Sequence, residues 1–255
     1  MGYNQPSQFI IMLFFTLWFS TVPSLAQEKQ IDLLNEHFYP VADENKDNSF
    51  YKAILMTVDD STSIETIFTL QNQLVKKSHF GWNKEYSFPE EIINTYDDKG
   101  QISSQTIKNR NNGLYQATYF ENNELIGEVL FKGNGKYEIR LAGEEDFILS
   151  DQNILDPKPT YDQVQWQKHL MKHLSYPLQA RRRGETGTVV LAYFINEFGE
   201  QSGPIIANPD QLSPSLAKEA LRVAKMFELK LSPATAIDGS TRDAWLYVPL
   251  GFKLD

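Results

Sequence analysis

Between Asp97 and Gly135 the chain interrupts itself four times with turn-forming residues: Asp97-Asp98-Lys99-Gly100, Asn111-Asn112-Gly113, Glu121-Asn122-Asn123 and Gly133-Asn134-Gly135. Asn, Asp and Gly tolerate positive φ, so each cluster fits a tight hairpin turn. The short runs between them, Leu114 to Phe120, Leu125 to Phe131 and Tyr137 to Leu141, are rich in β-prone residues. Upstream, Tyr51, Ala53, Leu55 and Thr57 alternate with Lys52, Ile54, Met56 and Val58, and Thr66 to Leu70 and Ile92 to Tyr96 are further short runs. Strands joined by tight turns pair in sequence, so Phe50 to about Leu149 is expected to form an antiparallel meander. Ahead of it, residues 28–38 are expected to form a short helix through Ile31, Leu33, Leu34 and Phe38, followed by the polar stretch Asp43–Ser49.

The chain has 255 residues, 41% hydrophobic and 22% charged, enough apolar material for a buried core. Charge is unevenly placed. Positions 157–255 hold 12 Lys+Arg against 10 Asp+Glu, a net of +2, and positions 1–156 hold 12 against 23, a net of −11. Two stretches of opposite sign point to two units with different surfaces. An overall charge of −9 argues against a nucleic-acid partner, which demands clustered Lys and Arg on phosphates. The absence of cysteine excludes disulfides, thiolate catalysis and Cys-zinc sites.

The N-terminus reads as an export signal. Phe9 to Phe19 is an apolar run of eleven residues broken only by Thr16, too short as a helix to span a bilayer. Ser24-Leu25-Ala26 then places small residues at −3 and −1 of a cleavage site, leaving Gln27 as the first mature residue. The segment before the run, MGYNQPSQ, has no Lys or Arg, so a retained inner-membrane anchor stays open as the alternative.

The strip Ser150–Pro159 carries two prolines and few apolar anchors. It divides the chain into a signal peptide (1–26), a β-rich unit (27–150), a linker (151–159) and a C-terminal module (160–255). In the module, Thr160-x-x-Gln163 reads as a capping box. Trp166, Leu170 and Leu174 share a helix face, and Tyr176-Pro177 stops that helix. Val189, Leu191, Tyr193 and Ile195 mark one face of a strand, Asn196–Gly199 a turn, and Gln201–Ala207 a return strand. Ser213-Pro214 opens a second helix striped by Leu216, Ala220, Val223, Ala224 and Phe227. Ala244, Leu246, Val248, Leu250, Phe252 and Leu254 then alternate strictly, the mark of a strand with one buried face. The expected fold is α+β: an antiparallel meander followed by a small α-β-β-α-β module with its helices on one side of one sheet.

The order of these elements resembles the C-terminal domain of TonB-family energy transducers. The residues carrying the resemblance are Tyr176-Pro177-Leu178-Gln179-Ala180, Gly187-Thr188-Val189, Phe194, Ile195, Gly199, Leu216, Ala220, Pro233-Ala234, Asp238-Gly239, Val248-Pro249 and Phe252. They cover about positions 160–255. The Trp often found before Pro-Ala in that family is replaced by Leu231-Ser232, and no long Pro-rich spacer precedes the module. The resemblance implies that the last strand pairs with an extended segment of an outer-membrane transporter or another envelope protein. It points to Tyr176, Pro177, Trp245, Tyr247 and Pro249 as partner-binding residues. Asn109 to Glu138 in turn resembles MORN-like repeats of exported bacterial proteins, with Tyr119-Phe120-Glu121-Asn122-Asn123-Glu124-Leu125 as the best unit. An ordinary β meander accounts for the same residues.

Residues able to carry chemistry are few. His169 and His173 stand at a metal-compatible i, i+4 spacing without a third ligand, and surface histidines are the plainer reading. Asp59-Asp60 and Glu144-Glu145-Asp146 lack the alternating oxygens and Gly of a calcium loop. Arg181-Arg182-Arg183 is too short a basic run for membrane anchoring. No nucleophile elbow, phosphate loop or dinucleotide fingerprint is present. The expectation is therefore a binding protein of the periplasm, with no catalytic residues, metal or cofactor. The alternative is a structural cell-envelope protein working through its N-terminal β unit.

Overall fold

In a computed structural model that describes residues 29–160 and 163–254, each of the four turn clusters closes an antiparallel hairpin. Ten strands follow one another: β1 (Lys29–Leu34), β2 (Tyr51–Asp59), β3 (Thr62–Thr69), β4 (Leu74–Asn83), β5 (Phe88–Tyr96), β6 (Ile102–Asn109), β7 (Tyr115–Glu121), β8 (Glu124–Gly133), β9 (Lys136–Arg140) and β10 (Ile148–Ser150). Each pairs only with its sequence neighbours, giving one sheet in the order β1 to β10. The turns take the backbone expected of their residues: Gly100, Gly113, Asn122, Asn123, Asn134 and Gly135 all have positive φ.

The register sorts side chains onto two faces. Ala53, Ile67, Ala117, Val129 and Ile139 share the inner face and are almost fully buried. Across the outer face runs a polar row that includes Lys77, Asn94, Gln105, Thr118, Glu128 and Arg140. Gln105 donates to Asn94 at 2.9 Å, and Arg140 pairs with Glu128. Such cross-strand pairs keep the outer face compatible with water.

The first stretch departs from the expected helix. Lys29–Leu34 instead pairs along β2, from Lys29↔Met56 to Leu34↔Tyr51. An isolated helix this short does not repay its nucleation, whereas the edge of β2 offers main-chain partners along its whole length. The chain then turns sharply at Asn35–Tyr39, where Asn35 Oδ1 accepts the N–H groups of His37 and Tyr39 and Phe38 adopts φ 64°.

The strip after β10 is stitched to the C-terminal part of the chain. β11 (Lys158–Pro159) pairs with β14 (Leu231–Ser232), and β15 (Ala234–Thr235) with β16 (Thr241–Arg242). Thr235 N–H donates to Ile154 O at 2.9 Å, Ala142 N–H to Ile237 O at 2.8 Å, and Arg242 to Leu155 O at 2.7 Å. Leu155, Ile154 and Ile237 pack on the inner face around Val129 and Ile139. Thr160, expected as a helix cap, directs both its N–H and its hydroxyl to Lys230 O.

Helix α1 (Gln163–His173) carries Trp166 and Leu170, and Leu174 directly after it packs on the same core. A short helix unforeseen in the sequence, α2 (Leu178–Arg183), begins directly after Pro177. Helix α1 ends at His173, short of the proline; Pro177 (φ −59°, ψ 130°) is the N-cap of α2, and Gly184 at φ 67° closes it. Strands β12 (Gly187–Ile195), β13 (Gln201–Ile206) and β17 (Ala244–Phe252) form a sheet in the order β13-β12-β17. Helix α3 (Pro214–Lys225) lies on it through Leu216, Ala220, Val223 and Ala224, all within 1% of complete burial. Burying Leu216 and Val223 contributes about 1.5–3 kcal/mol each. The helices share one face of the sheet, with Val189, Leu191, Tyr193, Ile195, Leu250 and Phe252. The α+β architecture is thus a long antiparallel meander followed by a small mixed module.

The expected export segment Met1–Ala26 lies outside the described residues. Among the described residues no helix is long and apolar enough to cross a membrane.

Candidate functional site

Strict alternation carries Ala244–Phe252 into a strand whose even-numbered residues fill the core, leaving Trp245, Tyr247, Pro249 and Gly251 on the opposite face. Its register with β12 is unbroken, from Ile195↔Ala244 to Gly187↔Phe252. Among the described residues β17 pairs with β12 alone, so it forms one edge of the sheet.

The hydrogen bonds of β12 show which groups of β17 face outward. Val190 directs both main-chain groups to the β13 side: its N–H goes to Asn208 Oδ1 at 2.9 Å and its carbonyl takes Ala207 N–H at 2.8 Å. Thr188 O accepts from Asn208 Nδ2 on that same side. In an antiparallel ladder a residue's N–H and C=O point the same way, and opposed pairs alternate between bonded and non-bonded. Val190↔Pro249 and Thr188↔Gly251 are therefore non-bonded pairs, and Pro249 and Gly251 turn their main chain to the free side. By alternation so do Trp245 and Tyr247, whereas Leu246, Val248 and Leu250 spend theirs on β12. Pro249 thus sits where its missing N–H breaks no internal bond, the position in which an edge strand accepts proline.

The expected partner-binding residues fall into two groups. Trp245 and Tyr247 stand together against the turn that follows β1. His37 packs edge-on to Trp245 (ring centroids 4.7 Å) and to Tyr247 (5.7 Å), and its Nδ1 lies 3.2 Å from the Tyr247 hydroxyl. Tyr39 joins Trp245 over Val190, Ala192 and Ala207. Asn35 Nδ2 donates to Ala207 O at 2.8 Å, and Asp210 accepts from Ala42 N–H, clasping the turn to the sheet. Tyr247 still exposes 41% of its surface, and Pro249 and Gly251 are exposed. Burial lifts the Tyr247 phenol above its ordinary value, helped by Tyr39, Glu36 and Tyr51, and it holds His37 below its own, opposed by Glu36.

Tyr176 belongs to the other face. Its ring meets Phe252 edge-on at 5.7 Å, and its hydroxyl donates to Glu185 O. Pro177 accepts Arg181 N–H and launches α2. These two residues shape the surroundings of the strand's far end and do not join Trp245 and Tyr247. Sequence reasoning missed His37, Tyr39 and Asn208. Asn208, 4% exposed, serves β12 as a substitute strand residue through two side-chain bonds. Only its being a polar residue directly after an apolar return strand hinted at this. His37 and Tyr39 reach β17 from some 200 positions away in sequence, which no local pattern reveals.

Elsewhere, His169 Nε2 lies 3.0 Å from Val223 O, tying α1 to α3. Arg183 pairs with Glu185 at 3.3 Å. Asp59 accepts the N–H and hydroxyl of Ser61 within its turn.

Residues 172–254 match the family model described as the Gram-negative bacterial TonB protein C-terminal. No curated protein and no solved structure matches the chain.

Proposed function

We propose, on the premise that residues 172–254 form a TonB C-terminal domain, that this chain is an exported envelope protein that captures an extended segment of an outer-membrane transporter on β17. It acts by binding rather than by catalysis. The observation that carries this reading is the free side of β17, where Trp245, Tyr247 and Gly251 present main-chain donors and acceptors. A strand laid there satisfies both sets of groups, and alternate side chains supply selectivity. Pro249 offers only its carbonyl, so the incoming strand centres on Trp245 and Tyr247.

The test is titration of the mature chain with peptides from periplasm-facing segments of outer-membrane transporters, read by amide hydrogen exchange. Binding should slow exchange at Trp245 and Tyr247. Tyr247→Pro should abolish capture, whereas Tyr247→Ala, which keeps the outward N–H, should retain most of it. Equal capture by Tyr247→Pro and Tyr247→Ala would rule out strand pairing at this edge. Export is checked separately by the intact mass of periplasmic and membrane fractions: a soluble species starting at Gln27 supports it, and a full-length species held in the inner membrane overturns it.

A further inference from the structure

A cleft of about 450 Å³ opens where the turn after β1 meets β13 and the loop beyond it. Three carboxylates line it, those of Glu36, Asp47 and Asp210, and no Lys or Arg does. Its wall includes the apolar side chains of Phe50 and Ile205, exposed by 54% and 40%. Asp210 is already engaged, with Ala42 N–H at 3.0 Å and Asn45 Nδ2 at 2.7 Å, so it contributes charge rather than a vacant acceptor. Glu36 and Asp47 are exposed side chains.

His37 also lines this cleft. Its side chain is 3% exposed, yet Nε2 is buried without a hydrogen-bond partner, and the nearest acid, Glu36 Oε1, stands 3.6 Å away. A buried polar atom without a partner is uncommon and calls for a physical reason. When the ring donates from Nδ1 to the Tyr247 oxygen, Nε2 presents a lone pair. Burial favours the neutral ring that this arrangement needs.

We infer that this cleft takes the guanidinium group of an arginine on a partner protein. The group brings several N–H donors to a site rich in acceptors and poor in donors. It is more weakly hydrated than an ammonium, so it suits a wall that is partly apolar, and its plane stacks on rings such as Phe50. A metal ion is the poorer fit, since no three His, Asp or Glu side chains converge among the described residues. A protein-borne arginine is favoured because the cleft, on the β13 side of the sheet, shares a residue with the candidate strand: His37 lines the cleft and touches Tyr247. Binding of the cation does not depend on strand capture, whereas its assignment to a partner protein rests on that reading, and the agmatine and peptide measurements separate the two.

The test uses the full chain with ¹⁵N-labelled histidine. Agmatine should move the His37 Nε2 resonance saturably in the millimolar range, and butylurea, which has no charge, should not. Glu36→Gln and Asp47→Asn, both at exposed positions, should each weaken agmatine by about fivefold. A short blocked peptide with a central arginine should bind at least as tightly as agmatine. The inference is overturned if agmatine leaves His37 unmoved while Trp fluorescence reports an intact fold, or if butylurea matches it. It is also overturned if calcium alone produces the shift, or if both charge removals leave binding unchanged. Agmatine binding much tighter than the peptide would overturn the assignment to a protein partner.

Discussion

Two proline substitutions, one residue apart, test the outward assignment of β17 directly. Val248 pairs with Leu191 in a bonded pair, so Val248→Pro deletes a ladder hydrogen bond worth about 1 kcal/mol net and leaves the Leu191 carbonyl without its donor. Leu191 is fully buried, so that stranded carbonyl costs about 1–3 kcal/mol more. Relative to Val248→Ala, the total is about 2–4 kcal/mol. Tyr247→Pro removes an N–H that faces solvent. Relative to Tyr247→Ala, which already loses the ring and its contact with His37, it should lie within about 0.5 kcal/mol. Urea unfolding read by tryptophan fluorescence separates the two cases. With a slope of about 2 kcal/mol/M, Val248→Pro lowers the midpoint by about 1–2 M and Tyr247→Pro leaves it nearly at its alanine reference. Equal losses for the two prolines, or a larger one for Tyr247→Pro, would refute the assignment.

Asn208→Ala leaves Val190 N–H and Thr188 O without their side-chain partners and should cost about 2–4 kcal/mol in thermal or urea unfolding, with Asn208→Asp recovering part through Val190 alone. At Gly127 an added Cβ would meet Arg140 O and Ile237 Cγ1 at 2.6 Å, so Gly127→Ala should destabilise the packing of Ile237 on β8 and β9 by about 1–3 kcal/mol, seen as a lower melting temperature. Burial holds His37 below the ordinary histidine value near 6.5, so the unfolded chain takes up this proton first as pH falls. Its contribution is whole above about pH 6.5 and is lost as pH drops from there through the folded value. Urea midpoints between about pH 7.5 and about pH 5 should fall more for the native chain than for His37→Phe.

The legible parts of this fold were those where one residue sets one backbone state or one face. Asn122, Asn123, Gly100 and Gly113 announced hairpins because positive φ excludes most other residues. The stripe Leu216, Ala220, Val223, Ala224 and the alternation from Ala244 to Phe252 could be read because each sets a regular run of apolar side chains against one buried core. β4 and β6 left no such trace. Their inner-face residues include Lys76, Ser78, Ser104 and Thr106, so the period-two contrast vanishes, and they are strands because both neighbours supply hydrogen bonds. Local pattern equally failed at Lys29–Leu34, where pairing with β2 decided the conformation. At the site, β17 and its exposed proline were readable. The other half, His37 and Tyr39 on Trp245 and Tyr247, was hidden because it is a contact between opposite ends of the chain.

The clasp at Asn35 also bears on the order in which the molecule assembles. Each strand of the meander pairs with its immediate predecessor, so every closure is a short loop and hairpins can zip within microseconds. The bond from Asn35 to Ala207 closes a loop of 172 residues, and its entropy is recovered only after both ladders exist. The clasp is therefore expected to form last and, by the same reasoning, to open first. Its opening would bare the Trp245 and Tyr247 face of the last strand to solvent for an instant while both sheets stay intact, a low-lying excursion that native-state hydrogen exchange would register at Ala42, whose N–H crosses to Asp210, before any core amide.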